Sequence, residues 1–151
     1  MKKIVFLVLS IFIIFISCKT SSTTINFNET LPIDKITKIH WFMQSSMSII
    51  EYNGFPVNWK NSVKGTMPTL MISIPGGNTK FILDGFALHS SLSVIYNEVP
   101  FSYYFQNGKE YTVLINLYII SIYDGIYENK FPRKKNLIAR YDMRNGQKLI
   151  E

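Results

Sequence analysis

The sequence predicts an all-β fold, namely an antiparallel β-sandwich of the immunoglobulin-like or prealbumin-like kind with about eight to ten short strands. Composition is the first observation behind this prediction, because alanine occurs only twice after residue 18 while Ile, Val, Thr, Tyr and Phe are abundant. Hydrophobic residues also recur at a period of two, and no long window shows the stripe of an amphipathic helix. Asn-Gly pairs, which favour hairpin turns, separate these runs.

The predicted strands are clearest in three runs of alternating residues. Apolar side chains occupy every second position in residues 70–74, 101–105 and 111–119. Successive side chains of a strand point to opposite faces, so each of these strands has one face against the core. Residues 137–143 and 147–150 predict a last hairpin.

The turns are predicted from Gly, Asn and Pro. Asn-Gly stands at residues 53–54, 107–108 and 145–146, and each pair predicts a hairpin with a type I′ turn, in which both central residues have positive φ. The Pro-Gly-Gly-Asn sequence at 75–78 predicts a fourth turn. Pro56 has no amide hydrogen to donate to a sheet, so its strand is expected at an edge or a bulge.

The N-terminus predicts a targeting segment. Lys2 and Lys3 precede a run of thirteen residues, 4–16, that is apolar but for one serine. As a helix this run spans about 20 Å, which is short of the ~30 Å hydrocarbon core of a bilayer. Residues 1–17 are therefore interpreted as a signal peptide. A transmembrane anchor with a buried, inert Cys18 is the alternative.

Residues 15–18, Phe-Ile-Ser-Cys, resemble the lipobox of bacterial lipoproteins, although Phe15 stands where the motif usually has Leu and Ser17 where it usually has Ala or Gly. The resemblance implies that Cys18, the single cysteine, carries fatty acyl chains such as palmitate and becomes the first residue of the mature protein. Two or three acyl chains suffice for stable membrane anchoring. Lys19, rather than Asp, resembles exported lipoproteins and implies the outer membrane in a diderm host.

The predicted organisation has three parts. Residues 1–17 are the signal peptide, and residues 18–24 comprise the lipidated Cys18 and a polar tether. Residues 25–151 form a single β-sandwich domain. Six flexible tether residues reach on the order of 13 Å, so we expect the domain to lie near the membrane surface.

The positive charge is concentrated at the C-terminal end. Residues 19–127 hold seven Lys and seven acidic residues, whereas residues 128–151 hold seven Lys and Arg against three acids. The densest part predicts a contact with anionic lipid, glycan or an envelope protein rather than nucleic acid. The residues concerned are Lys130, Arg133, Lys134 and Lys135. The alternative is a solvated loop that leads into the last hairpin.

A second resemblance covers residues 45–115. Residues 52–57, 72–81 and 105–111 are similar to the hairpin, the strand–Pro-Gly-turn–strand and the aromatic Gly-Lys hairpin of small envelope β-sandwich domains. These include PEGA-like domains and an uncharacterised lipoprotein family with a Pro-Gly-x-His turn. The resemblance implies a scaffold or interaction module and supplies no catalytic residues.

Few residues suggest catalysis. A single Cys and two His exclude a disulfide framework and a zinc site built on Cys or His clusters, so no metal or cofactor is expected. Asp84, His89 and Ser90 are the one candidate hydrolase triad, but no Gly-x-Ser-x-Gly elbow accompanies them. We therefore expect a protein that is not an enzyme.

Tyrosines offer a candidate binding surface. Tyr103, Tyr104, Tyr111 and Tyr118 fall within a short part of the chain, and on one sheet face they would form a platform for carbohydrate or protein. Packing in the core is the alternative. The sequence thus predicts a membrane-anchored interaction module of the cell envelope. The alternatives are a structural accessory subunit of an envelope assembly and a hydrolase that uses His89, Asp84 and Ser90.

Overall fold

A computed structural model describes residues 23–26, 31–44, 46–60, 69–127 and 132–150. The predicted signal peptide, Cys18 and Lys130 lie outside these ranges. Over the described ranges the chain forms eleven strands and two short 3-10 helices, at Ile33–Lys35 and Lys134–Asn136. None of the helices in this part of the chain is long and apolar enough to cross a membrane.

The strands build two sheets. In chain order they are β1 Thr23–Asn26, β2 Ile36–Phe42, β3 Met47–Tyr52, β4 Phe55–Lys60, β5 Thr69–Pro75, β6 Gly77–His89, β7 Leu92–Phe105, β8 Glu110–Asn116, β9 Ile119–Asp124, β10 Leu137–Asp142 and β11 Gln147–Ile150. One sheet has the order β1-β5-β2-β8-β9-β10-β11, and the other has the order β4-β3-β6-β7. The predicted all-β sandwich is confirmed.

Three details differ from the prediction. The pairs β1–β5 and β2–β8 are parallel, although the other pairs are antiparallel. Strands β6 and β7 have 13 and 14 residues and are not short. Strand β1 begins at Thr23, so the predicted tether, which extends to residue 24, ends two residues earlier in the structure.

The core lies between the two sheets. Both sheets contribute side chains that are almost completely removed from solvent, and each fully buried aliphatic or aromatic side chain contributes about 1.5–3 kcal/mol to folding. The largest of these side chains are Trp41, Tyr96, Phe81, Phe105, Ile39, Met47, Ile49 and Leu70. Aromatic rings meet edge to face across the sheets, for example Trp41 and Phe81 with centroids 5.1 Å apart.

The predicted alternation is borne out in β5, where Leu70, Ile72 and Ile74 are buried between half-buried neighbours. The predicted strand at 111–119 is wrong in one respect. It is a hairpin, β8 and β9, that turns at Leu117 and Tyr118. Leu117 adopts a φ of 51°, a conformation that a leucine rarely takes. The two central residues of this turn are neither glycine nor asparagine, so no Asn-Gly pair marks it in the sequence.

The Asn-Gly pairs all lie in turns, but only the pair at 53–54 has the predicted type I′ signature, with φ of 49° and 85°. The pair at 145–146 closes the β10–β11 hairpin through a four-residue turn. The pair at 107–108 joins β7 of one sheet to β8 of the other, so the predicted hairpin there is wrong. The turn at 75–78 likewise crosses between sheets. Pro56 lies in edge strand β4, beside a register shift, as predicted.

The sandwich has two distinct ends. At the entry end, where β1 begins, Thr23 pairs with Leu70, and Leu70 pairs with Trp41 near the end of β2. At the far end, β5 finishes and β8 starts, and Lys38 pairs with Glu110 there. The chain crosses between sheets at residues 75–78 and 107–108 at this far end.

Candidate functional site

The four predicted tyrosines occupy different environments. Tyr104 is 59% exposed and Tyr103 is half-buried, both on edge strand β7. Tyr111 is buried, and its hydroxyl accepts a hydrogen bond from the Gln106 amide at 3.1 Å. Tyr118 lies in the β8–β9 turn at the entry end of the sandwich. The four therefore do not share one exposed sheet face, because they lie on three segments that face different ways.

Tyr103 and Tyr104 nevertheless line an open cavity of about 420 Å³ along the β7 edge. We call this cavity the tyrosine groove and define it by the side chains that the chemistry below uses: Tyr103, Tyr104, Tyr141, Lys80, Lys148 and Asn78. A neighbouring cavity of about 470 Å³ shares Tyr103 and Tyr104 and adds Lys109, Tyr111 and Asp124. The groove lies where β7 of one sheet approaches β10 of the other.

Strand register assembles the groove. Asn78 pairs with Tyr104, and Lys80 pairs with Ser102, so these four residues lie next to one another on the same face of the β6–β7 pair. The turn at Asn53 docks onto the same stretch. The Asn53 amide nitrogen donates to the Lys80 carbonyl at 2.9 Å, and the Asn53 side chain accepts from the Lys80 amide at 2.8 Å. Lys80 is therefore held at its backbone while its side chain remains exposed.

Aromatic packing fixes Tyr103 at the base of the groove. Its ring meets the rings of Phe105, Tyr111 and Tyr141 edge to face, with centroids 4.8, 6.3 and 6.4 Å away. Burial raises the pKa of the Tyr103 hydroxyl, and the neighbouring Tyr111 and Tyr141 raise it further. The phenol is therefore neutral at physiological pH and can both donate and accept a hydrogen bond.

The chemistry of the groove suits a polar ligand with negative charge. Aromatic faces offer contact area, the Asn78 amide and the Tyr103 hydroxyl offer hydrogen bonds, and Lys80 and Lys148 carry positive charge. A volume of about 420 Å³ falls in the range of small-ligand sites.

The predicted basic cluster lies at the far end. Arg133, Lys134 and Lys135 are exposed, and Lys134 begins the 3-10 helix that precedes β10. Strand β10 starts at Leu137, which pairs with Tyr123 near the far end of β9. Lys130 lies outside the described ranges. The three described cations thus precede the strand end that lies opposite to Thr23, and Lys134 also lines a cavity of about 490 Å³ that reaches Leu117, Tyr118 and His89.

The candidate triad is not assembled. Asp84 and His89 lie on the same extended strand, β6, five residues apart, which separates them by roughly 16 Å. Ser90 follows His89 in the turn at the tip of the β6–β7 hairpin, where both are exposed. An Asp-His hydrogen bond is therefore ruled out in this geometry. Over the ranges that the structure describes, no three His, Cys, Asp or Glu side chains gather closely enough to hold a metal ion.

Four groove residues were not predicted as site residues from the sequence: Asn78, Lys80, Tyr141 and Lys148. They come from β6, β10 and β11, which are far apart in the chain, and each is an ordinary residue of its own strand. The alternation of apolar and polar residues on β6 indicates that Lys80 points outward, but the sequence does not say what it points toward.

Comparison with known proteins gives no match: no family, no curated protein and no solved structure resembles the chain significantly. Its function is therefore inferred from its own residues.

Proposed function

We propose that this chain is a non-enzymatic lipoprotein of a bacterial cell envelope, anchored by lipid on Cys18, that binds an anionic glycan in the tyrosine groove. The observation that carries the proposal is the position of the β6–β7 part of the groove relative to the anchor. The chain enters the domain at Thr23, whereas Asn78 and its partner Tyr104 lie toward the opposite end of the sandwich. A domain tethered in this way holds this part of the groove away from the membrane.

The N-terminal sequence supports the anchor. A charged start, a short apolar run and a cysteine preceded by a small residue are the parts of a lipoprotein signal peptide. Lipidation also explains why the chain has one cysteine, since an acylated thiol can form no unwanted disulfide. In a diderm host, Lys19 favours export to the outer membrane.

Labelled palmitate tests the anchor. The full chain is expected to incorporate it, and Cys18→Ala is expected to incorporate none and to remain unprocessed or to be released from the membrane. Ser17→Ala, which brings the motif closer to the usual lipobox, is the matched control and keeps acylation. Undiminished labelling of Cys18→Ala would refute lipidation at this residue.

A glycan-binding assay tests the groove, with the full chain in detergent, heparin as the anionic probe and dextran as the neutral one. Tyr104→Ala and Lys80→Gln are each expected to weaken heparin binding about tenfold, or ~1.4 kcal/mol, because each removes a side chain that lines the groove. Binding is also expected to weaken as salt rises, since exposed charges are screened.

The matched control removes charge elsewhere. Arg133→Gln, Lys134→Gln and Lys135→Gln together are expected to leave heparin binding within about twofold, since none of these side chains lines the groove. If this triple variant loses binding while Tyr104→Ala keeps it, the basic cluster makes the anionic contact and the groove proposal fails.

The two other functions receive less support. Assembly by strand addition along β7 would need a regular free edge there, but Glu98 at a φ of 52° and Pro100 both interrupt this strand. A hydrolase that uses Asp84, His89 and Ser90 would need the triad that β6 holds apart.

A further inference from the structure

The β6–β7 hairpin extends beyond the sheet to which it belongs. Strand β3 pairs with β6 only as far as Met47, which lies opposite Gly85. Beyond Gly85, β6 and β7 continue to pair with each other up to His89 and Leu92. Residues 86–95 therefore form a hairpin that extends past β3, which we call the hairpin tip. Ala87 is buried in the core and its partner Val94 packs against the core, so the tip stays attached to the domain along that face.

The hairpin tip exposes large apolar side chains. Phe86, Leu88, Leu92 and Ile95 are 44%, 49%, 61% and 79% exposed. Phe86 and Ile95 are cross-strand partners and therefore lie on the same face of the hairpin. Such a group of exposed apolar residues on one element marks an interaction site more often than a chance surface.

The hairpin tip also contains no charged side chains. From Gly85 to Asn97 the sequence has no Lys, Arg, Asp or Glu, and Asp84 and Glu98 stand at its two borders. An equally long uncharged stretch, from Tyr111 to Tyr123, is largely buried in β8 and β9. The two stretches differ in exposure. Residues 111–123 are covered by the core, whereas the apolar side chains of the hairpin tip are in contact with water and would be stabilised by a binding partner.

Contacts at its base hold the tip in place. The Gln44 side chain accepts a hydrogen bond from the Leu88 amide at 2.6 Å and donates one to the Leu88 carbonyl. Ser46 donates its hydroxyl hydrogen to the Phe86 carbonyl at 2.6 Å. The buried Tyr96 donates its hydroxyl hydrogen to the Leu117 carbonyl. The apolar side chains are therefore presented on a fixed element and not on a free loop.

The tip lies at the entry end of the sandwich. Gln44 follows β2, whose last residues pair with the start of β5 beside Thr23. Cys18 precedes Thr23 by five residues, a length of chain that spans at most roughly 17 Å. A membrane that holds the acyl chains of Cys18 is therefore close to the end of the domain from which the tip projects.

We infer that the hairpin tip is a second membrane contact, which inserts Phe86, Leu88, Leu92 and Ile95 into the interface of the bilayer that holds Cys18. The inference rests on the proposed membrane anchoring. Apolar insertion suits the tip because it requires no charge, and a tether that confines the domain near the bilayer makes even weak partitioning effective. Asn78 and Tyr104 of the groove, and the start of β10 beside the basic cluster, would then lie toward the end away from the bilayer.

The experiment uses one environment-sensitive fluorophore at a time on the full chain, attached to an introduced cysteine. Leu88→Cys and Ile95→Cys report on the tip, and Arg133→Cys at the far end is the matched control. Acylation blocks Cys18, and if mass spectrometry finds its thiol free, the same variants are made with Cys18→Ser. The proteins are reconstituted in phosphatidylethanolamine–phosphatidylglycerol vesicles whose acyl chains carry a spin label that quenches fluorescence.

Fluorescence at residues 88 and 95 is expected to fall about twofold or more in spin-labelled vesicles, and fluorescence at 133 is expected to stay unchanged. Quenching at 133 alone, or at none of the three positions, overturns the inference. A water-soluble quencher is added in a second measurement. If residues 88 and 95 are protected from both this quencher and the spin-labelled lipid, a protein covers the tip and the inference also fails. Palmitate incorporation in the same preparation is scored separately. If the protein binds the vesicles and is quenched at residues 88 and 95 but carries no palmitate, lipidation is refuted while the tip contact is supported.

Discussion

The side-chain oxygen of Asn107 lies 3.1 Å from the backbone nitrogen of Gly76 and accepts its hydrogen bond. The two residues are 31 positions apart and belong to the two turns by which the chain crosses between sheets at the far end. The same Gly76 amide also approaches the Lys35 carbonyl at 3.4 Å. The contact therefore ties three connections together beside the tyrosine groove.

Gly76→Ala is expected to lower the free energy of unfolding by about 2–3 kcal/mol, because its Cβ would lie in overpacked space. That atom would be 2.5 Å from the Asn107 backbone nitrogen and 2.7 Å from its Cα. Denaturant unfolding measures the loss. Gly54→Ala is the control, since its Cβ would have nothing within 4 Å and only its positive φ adds strain. Equal stability of the two variants would contradict a close approach at Gly76.

Gln44→Ala is expected to loosen the hairpin tip with a loss of about 1 kcal/mol, since it removes both hydrogen bonds to Leu88. Amide hydrogen exchange at Leu88 should accelerate more than exchange in the core strands. Gln44→Glu, which can still accept from the Leu88 amide but cannot donate to its carbonyl, should give an intermediate rate. Unchanged exchange at Leu88 in Gln44→Ala would show that the tip is held by other contacts.

The ion pair of Asp142 and Arg144 is expected to make stability depend on acid pH. Arg144 donates to the buried carboxylate from Nε at 3.0 Å and from its backbone at 3.0 Å, and its guanidinium lies 3.7 Å from the centroid of the Tyr118 ring. The hydrogen bonds from Arg144 lower the pKa of the Asp142 carboxyl below its ordinary value.

A lowered pKa means that this pair stabilises the fold above the ordinary pKa of aspartate, about 4, and that the contribution is lost as pH falls through the lower folded-state value. Arg144→Met should therefore lower the melting temperature at pH 7, and the difference from the parent should shrink toward pH 2. Arg144→Lys keeps the charge but not the paired geometry of the guanidinium, so its melting temperature at pH 7 should lie between those of Arg144→Met and the unsubstituted protein. A difference that does not vary with pH would contradict the pair's role.

Tyr96 is expected to make stability fall in alkali. Burial raises the pKa of its hydroxyl, and the nearby Asp142 raises it further. The folded state thus keeps the proton while the unfolded chain releases it near pH 10, so stability is complete below that pH and falls as pH rises above it. Tyr96→Phe should cost about 1 kcal/mol at pH 7, because the Leu117 carbonyl loses its donor. Its melting temperature should then fall less than the parent's between pH 9 and 11, and parallel curves would refute the claim.

Short-range patterns were enough to predict the fold class and several of the strands and turns, but not the turn between β8 and β9. The alternation of Leu70, Ile72 and Ile74 and the composition rich in β-branched and aromatic residues predicted an all-β sandwich because pleating acts between adjacent residues. Asn-Gly predicted the turns at 53–54, 107–108 and 145–146 because glycine readily adopts positive φ. Cys18 and the lipobox-like residues before it remain predictions, since they lie outside the described ranges.

Tertiary structure decided which strands pair, and it decided whether a turn closes a hairpin or connects the two sheets. The pairs at 53–54 and 107–108 have the same two residues, yet one closes a hairpin and the other crosses between sheets. A turn needs only a local backbone conformation, which both connections satisfy, whereas sheet membership depends on which distant strand is available to accept hydrogen bonds.

The same distinction applies to the candidate sites. Tyr103 and Tyr104 were predicted from their position in the chain. The groove also needs Lys80, which strand register brings beside them, and Tyr141, which packs against Tyr103 from the other sheet. The exposure of Phe86 and its neighbours likewise depends on β3 ending its pairing at Gly85. Burial is a property of what packs against a residue, and for strands these partners come from distant parts of the chain, so local sequence indicates how apolar a segment is but not whether anything covers it.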